Sequence, residues 1–198
     1  MNRLVLATRN SNKAREIKEI LKRTDVQIQT VNDFPYIGEI REEGATFEEN
    51  ALLKARTVFE KTKFPALADD SGFEVFYLNM RPGIFSARYS GANHSDESNN
   101  RKILEELQGV PDRRRRARFR CVMAFVAHGV ERVVEGSCSG KIVVEPRGSN
   151  GFGYDPLFLP MGYTQTFAEL APDVKNTISH RARALEQILP ILRDYFQK

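Results

Sequence analysis

The chain has no tryptophan and only two cysteines, and no apolar run approaches the ~20 residues that a membrane-spanning helix needs. Cys121 and Cys138 have neither metal-ligand spacing nor a disulfide framework around them, so two reduced, half-buried thiols are expected. The apolar stretch Leu4-Val5-Leu6-Ala7 runs at once into polar residues and is too short for an export signal, which makes a cytoplasmic location the expectation. Charge of one sign is barely in excess: 30 Lys+Arg against 26 Asp+Glu leave a net +4. That excess is nonetheless clustered, with Arg113, Arg114, Arg115, Arg116, Arg118 and Arg120 in one short segment. Such a cluster suits a phosphate track for nucleic acid. Without interleaved aromatics it reads better as a solvated turn after Pro111-Asp112, leading into a strand with one arginine-bearing face. The remaining composition, 41% hydrophobic and 28% charged over 198 residues, is that of a soluble globular chain long enough for a real core.

Periodicity predicts a strand over Arg3–Ala7, a polar turn, then a helix with Ala14, Ile17, Ile20 and Leu21 on one face, and a second strand over Val26–Thr30. This β-turn-α-β opening predicts a parallel sheet at the start of an α/β fold. After an acidic loop at Glu39 to Gly44, Thr46 and Glu49 have capping-box spacing, and the helix behind them turns Phe47, Ala51, Ala55, Val58 and Phe59 inward. Ala66–Ala68 reads as a brief strand ending in a sharp turn at Asp69-Asp70-Ser71-Gly72, Arg81-Pro82-Gly83 as a turn, and Ser95 as the cap of a helix through Leu107. Ala117–Ala127 and Val130–Val144 read as consecutive strands of an antiparallel meander, the second interrupted near Gly136–Gly140. A glycine-rich loop follows at Arg147 to Pro156, and a last amphipathic helix carries Ala182, Leu185, Leu189, Leu192 and Phe196 inward. The expected architecture is one α/β domain over residues 1–198, an elongated mixed central sheet with two lobes, the β-rich one at roughly 117–145. An active-site cleft is expected between them.

Four segments have the composition of chemistry. Thr8-Arg9-Asn10-Ser11-Asn12-Lys13, at a strand-to-helix turn, suits a phosphate cradle, although ordinary helix capping needs the same residues and the Walker A spacing is absent. Two adjacent acids after a buried strand, Asp69-Asp70, cost desolvation unless a cation or donors offset them. Hard oxygen ligands of this kind suit Mg²⁺, with Glu39, Glu42 or Glu43 of the acidic loop as the second carboxylate; a turn acid is the bland alternative. Phe152-Gly153-Tyr154-Asp155 combines close backbone approach with two aromatics for a planar base, or else plugs the core. Ser179-His180-Arg181, with Lys175 upstream, opens the last helix, where it can meet a keto oxygen or a phosphate, or simply cap. No G-x-S-x-G elbow stands behind that serine, which argues against serine-hydrolase chemistry.

In order along the chain stand Thr8-x-Asn10-x-x-Lys13, Glu42-x-Gly44-x-Thr46-Phe47-x-Glu49-Asn50, Ala68-Asp69-Asp70-Ser71-Gly72, Gly83-x-x-Ser86-Ala87-Arg88-Tyr89, Phe152-Gly153-Tyr154-Asp155-Pro156 and Ile178-Ser179-His180-Arg181. By these motifs nearly the whole chain resembles the inosine/xanthosine triphosphate pyrophosphatases, which clear deaminated purine nucleotides. The resemblance implies Mg²⁺-dependent hydrolysis of ITP, dITP or XTP to monophosphate and pyrophosphate. It implies substrate contacts from Thr8, Arg9, Asn10, Ser11, Asn12, Lys13, Ser71, Phe152, Gly153, Tyr154, Asp155, Lys175, His180 and Arg181. Glu42 and Asp70 would hold the metal, Asp70 would also take the proton of the attacking water, and Lys54 would reach toward the phosphates. A homodimer is implied as well, with neither nucleic acid nor membrane as partner. Arg9 departs from the family, where a small residue is common, and its side chain is expected to point away from the phosphates. His180 and Arg181 are expected to satisfy the 6-keto acceptor that adenine lacks. A basic nucleic-acid-binding module would leave the Asp69–Gly72 and Phe152–Asp155 motifs without a purpose.

Overall fold

Arg3–Leu6 forms β1, its last three residues buried, and the chain then caps a helix with its own side chain. Asn10 Oδ1 accepts from the backbone N–H groups of Asn12 (3.0 Å) and Lys13 (3.2 Å), starting α1 (Ser11–Leu21), which buries Ala14, Ile17 and Leu21 at helical spacing. β2 (Gln27–Thr30) returns parallel to β1, as the opening pattern predicts. The structure is a computed structural model that describes residues 2–22 and 24–197.

α2 (Phe47–Thr62) starts where Thr46 Oγ1 accepts from Glu49 N–H at 3.1 Å. The reciprocal half of the predicted capping box lands one residue early, because Glu49 Oε2 accepts from Ala45 N–H at 2.7 Å. Phe47, Ala51, Ala55 and Val58 are buried along this helix, and so is Lys54. β3 (Ala66–Val75) corrects the brief strand and sharp turn expected at Asp69-Asp70-Ser71-Gly72: the strand runs ten residues straight through them. Cations placed against the acids, described below, remove the need for a solvated turn. β4 (Arg81–Gly83) is a strand antiparallel to β3, not the expected turn. The reversal occurs earlier, at Asn79 and Met80, both with positive φ.

α3 (Asp96–Glu106) begins at the predicted cap, Ser95, whose Oγ accepts from Ser98 N–H. β5 (Arg116–Ala127) and β6 (Val130–Ile142) are joined at His128-Gly129 and are neighbours in the sheet. β6 is not interrupted near Gly136–Gly140. A Cβ on Gly140 would stand 2.2 Å from the Leu159 carbonyl of β7 (Phe158–Pro160), so glycine there marks a close strand approach and not a break. The chain ends on α4 (Pro172–Ile178) and α5 (His180–Phe196). The class is mixed α/β, with strand order β2-β1-β3-β5-β6-β7 and β4 on β3.

The chain divides into two units. The first comprises residues up to Asp70, Cys121–Gly136 and Arg181 onward. Its core packs α1 and α5 against the sheet through Ile17, Leu21, Leu185 and Ile188 on Leu4, Leu6, Leu67 and Phe125. The second comprises Ser71–Arg120 and Ser137–His180, and its core is aromatic, with Phe73, Phe119, Tyr154, Phe158 and Phe167 in mutual contact. The arginine cluster is an exposed turn at Asp112–Arg114 leading into a strand with Arg116, Arg118 and Arg120 on one face, as expected, except that Arg115 is buried. Buried Arg115 donates to the carbonyls of Leu107, Ile142 and Val143, Arg118 and Arg120 flank Glu74, and Arg114 and Arg116 lie over Tyr77 and Phe76. Both cysteines are thiols, buried rather than half-buried, and burial pushes the Cys121 thiol up to about 12. No described helix is long and apolar enough to cross a membrane.

Candidate active site

Alternation along β3 turns Asp69 and Asp70 to opposite sides, and each meets a different cation set. Asp69 is wholly buried, with Lys13 Nζ at 3.2 Å and Arg181 Nη2 at 3.1 Å from Oδ2. Arg181 Nη1 donates in turn to Glu16 at 2.5 Å. Burial by itself lifts the Asp69 carboxyl, but the Lys13 and Arg181 charges outweigh it and hold the group far below the usual carboxylate range. Two cations and two carboxylates therefore close a balanced, buried network among Lys13, Glu16, Asp69 and Arg181.

Asp70 faces a less balanced set. Asn50 Nδ2 donates to Oδ2 at 3.1 Å, and Lys54 Nζ lies 3.3 Å from Oδ1. Lys54 also donates to the Asp69 carbonyl at 2.7 Å and to Glu42 Oε1 at 2.6 Å. Burial lifts the Asp70 carboxyl, Lys54 and Lys13 pull it back, and the net direction is upward. For Lys54 burial acts downward, yet the charges of Asp70 and Glu42 prevail and keep it an ammonium. With both acids ionised, the Glu42–Lys54–Asp70 trio has one negative charge in excess.

Asn50 couples the acidic loop to this strand. Its Oδ1 accepts from Gly44 N–H at 2.8 Å while its amide group donates to Asp70. Glu42 is thereby turned onto Lys54, with its side chain 34% exposed, whereas Glu43 is exposed. Among the described residues no group of three or more His, Cys, Asp and Glu side chains converges as a metal cage.

The polar turn before α1 is more committed to capping than its composition suggests. Thr8 Oγ1 accepts from Asn10 N–H at 3.1 Å, and Asn10 holds the first turn. Arg9 is tied to Asn32 Oδ1 (3.1 Å) and the Gly38 carbonyl (2.7 Å), so its side chain belongs to that neighbouring loop. Ser11 is exposed, and Asn12 and Lys13 are half-buried.

In the second unit the glycine-rich loop is organised by Asp155. Its Oδ2 accepts from Phe152 N–H at 2.8 Å and from Lys175 Nζ at 2.5 Å. A Cβ on Gly151 would fall 2.0 Å from that same oxygen, and φ there is +78°, so any other residue would displace the carboxylate. The Lys175 ammonium lies 5.0 Å from the Phe152 ring centroid. Of the two motif aromatics, Phe152 stays half-buried. Tyr154 is core: it stacks on Phe73 at 4.9 Å and donates to the Ser86 carbonyl at 2.7 Å. His180 stacks on Phe119 at 4.7 Å, and Ser71 follows Asp70 on β3, half-buried.

Sequence reading missed Glu16 and the full role of Asn50, and it gave the Arg181 side chain to the base. A signal for Glu16 was available: it falls one residue before Ile17, on the buried side of an amphipathic helix, where an acid needs a cation.

A profile of the Ham1 family matches residues 4–191. A dITP/XTP pyrophosphatase of Lactiplantibacillus plantarum is 48% identical over 98% of this chain and 96% of its own length. Another of Geobacter sulfurreducens is 50% identical over 93% and 94%. In three dimensions the chain is similar to a HAM1 protein from Coxiella burnetii, with TM-score 0.89, 43% identity, and 98% and 100% of the two chains covered.

Proposed function

The chain belongs to the Ham1 family, and from that premise we propose that it hydrolyses deaminated purine nucleoside triphosphates, ITP, dITP and XTP, to the monophosphate and pyrophosphate. The observation that carries the chemistry is the Glu42–Lys54–Asp70 trio: two hard-oxygen acids, one excess negative charge, and a carboxylate whose proton affinity burial has raised. The donor set fits Mg²⁺, which takes one or two carboxylates and keeps its remaining positions for water and phosphate oxygens. Glu42 and Asp70 are the residues that would hold it. When bound, such an ion neutralises charge developing on phosphate oxygens.

Asp70 accepts the proton of the attacking water. A carboxylate with a raised pKa is a better base, and Asn50 holds it in one orientation. Lys13 and the backbone of Thr8–Asn12 bind the triphosphate, while the Arg9 side chain braces the turn from behind. Arg181 serves this end indirectly: its guanidinium holds Asp69, and Asp69 holds Lys13. Ser71, Phe152–Asp155, Lys175 and His180 contact the nucleoside. Hypoxanthine and xanthine offer a 6-keto acceptor to Lys175 and His180, where adenine would set a donor against donors. A homodimer, implied by the resemblance, is proposed for the assembly.

A panel of nucleoside triphosphates assayed for pyrophosphate release tests the activity. ITP, dITP and XTP should exceed ATP by orders of magnitude in kcat/KM. In ¹⁸O-water the label should enter the monophosphate and leave pyrophosphate unlabelled. Labelled pyrophosphate, or early orthophosphate with accumulating diphosphate, would overturn attack at the α-phosphorus. The metal assignment has its own test. Glu42→Gln should raise the Mg²⁺ concentration for half-maximal rate by about tenfold or more. An unchanged titration, with Glu43→Gln shifted instead, would transfer the ligand role to Glu43.

A further inference from the structure

Gly153, in the middle of the glycine-rich loop, is held at both poles of its backbone by one helix. Asp96 and Asn100 stand four residues apart on α3 and so share a face. Asp96 Oδ2 accepts from Gly153 N–H at 2.7 Å, and Asn100 Nδ2 donates to the Gly153 carbonyl at 2.9 Å. Asn100 is 7% exposed, and among the described residues its carboxamide oxygen accepts no bond, so the polar work this buried side chain does there is the donor it directs at the loop. The neighbours of Gly153 are fastened elsewhere, Phe152 N–H on Asp155 and the Tyr154 hydroxyl on Ser86.

Packing does not hold this point of the loop. A cavity of about 500 Å³ opens beside it, lined in part by Asp96, Asn100, Asn150, Phe152 and Gly153. Gly153 itself has no side chain to wedge into a neighbour. A loop bordered by empty space moves unless directional bonds stop it, and here those bonds come from Asp96 and Asn100. Since Phe152 precedes Gly153 and Tyr154 follows it, the position of this one peptide sets how the Phe152 ring and the loop edge are presented.

We propose that Asp96 and Asn100 are positioning residues for base recognition: they clamp Gly153 and fix the loop that discriminates keto from amino purines. The inference rests on the assignment of Phe152–Asp155 to the nucleoside. An ångström of misplacement in a recognition element costs up to about a hundredfold, and this cost falls on binding and selectivity rather than on the Asp70 chemistry.

The test compares wild type, Asn100→Asp, Asp96→Ala and Asp96→Asn on ITP and ATP, with melting temperatures measured alongside. Asn100→Asp sets an acceptor against the Gly153 carbonyl, and Asp96→Ala removes the acceptor for its N–H. Each should raise KM for ITP about tenfold, change kcat by less than about threefold, and cut the ITP/ATP ratio of kcat/KM about tenfold. Asp96→Asn keeps an acceptor oxygen and should stay near wild type. If Asn100→Asp does not fold, the exposed Asp96 carries the test. A loss confined to kcat, an equal loss on both substrates, or a retained ITP/ATP ratio would overturn the clamp. A wild-type enzyme with no preference for ITP would instead refute the functional reading on which the clamp depends.

Discussion

Asp70→Asn is expected to lower kcat by about 10²- to 10⁴-fold while leaving the fold intact. The substitution keeps the shape and removes the proton acceptor. Stability should not fall, because burial already disfavours the charged form of Asp70, and its upward pKa shift means that the folded state holds this carboxylate at a cost above its unfolded pKa. Lys54 loses one partner but keeps Glu42 at 2.6 Å and the Asp69 carbonyl at 2.7 Å. The melting temperature should stay within about 3 °C of wild type or rise. Single-turnover assays would separate lost chemistry from lost binding. A near-wild-type rate would remove Asp70 from the mechanism.

The neighbouring acid behaves in the opposite way. Asp69→Asn should destabilise the protein by about 3–5 kcal/mol, because it strips from a buried network the carboxylate that faces both Lys13 and Arg181. For a chain of this size that is a fall of roughly 10 °C in Tm, read by calorimetry or denaturant titration. The pH dependence has a definite sign. The folded pKa of Asp69 lies below its unfolded value of about 3.9, so its contribution is complete above that pH and is lost as pH falls toward the folded pKa. Wild-type stability should therefore drop more steeply than that of the variant below about pH 4, and the gap between them should narrow. A constant gap across that window would mean that Asp69 acts by packing and not by charge.

These two acids also show how far the sequence could be read. Their identity and adjacency announced a cation site, and the alternation rule separated them correctly. The strand that carries them is longer than expected, because Gly72 permits a sharp turn that the chain does not take, and nothing local in Ala68-Asp69-Asp70-Ser71 discloses the cations that let a ten-residue strand pass through. Those cations come from Lys13, Lys54 and Arg181, at separations of 15 to 112 residues for the latter two and Asp69. Local elements with strong signals, such as the Ser95 cap and the buried stripe of α5, are legible. The side-chain commitments are not. A cation at a helix start suits a ligand, whereas the Arg181 guanidinium is engaged by Glu16 and Asp69. Asp96 and Asn100 went unnoticed because each binds backbone 57 or 53 residues away, an interaction that leaves no pattern in the sequence.

The burial of both thiols has a consequence for survival under stress. Nitrosating conditions that convert amino purines to keto purines also attack cysteine, and they do so through the thiolate. Cys121 and Cys138 are the only cysteines in the chain, both are shut inside strands, and burial pushes the Cys121 thiol up to about 12. An enzyme built this way keeps working through the chemical insult that generates its substrates, with no thiol for that insult to reach until the strand itself opens.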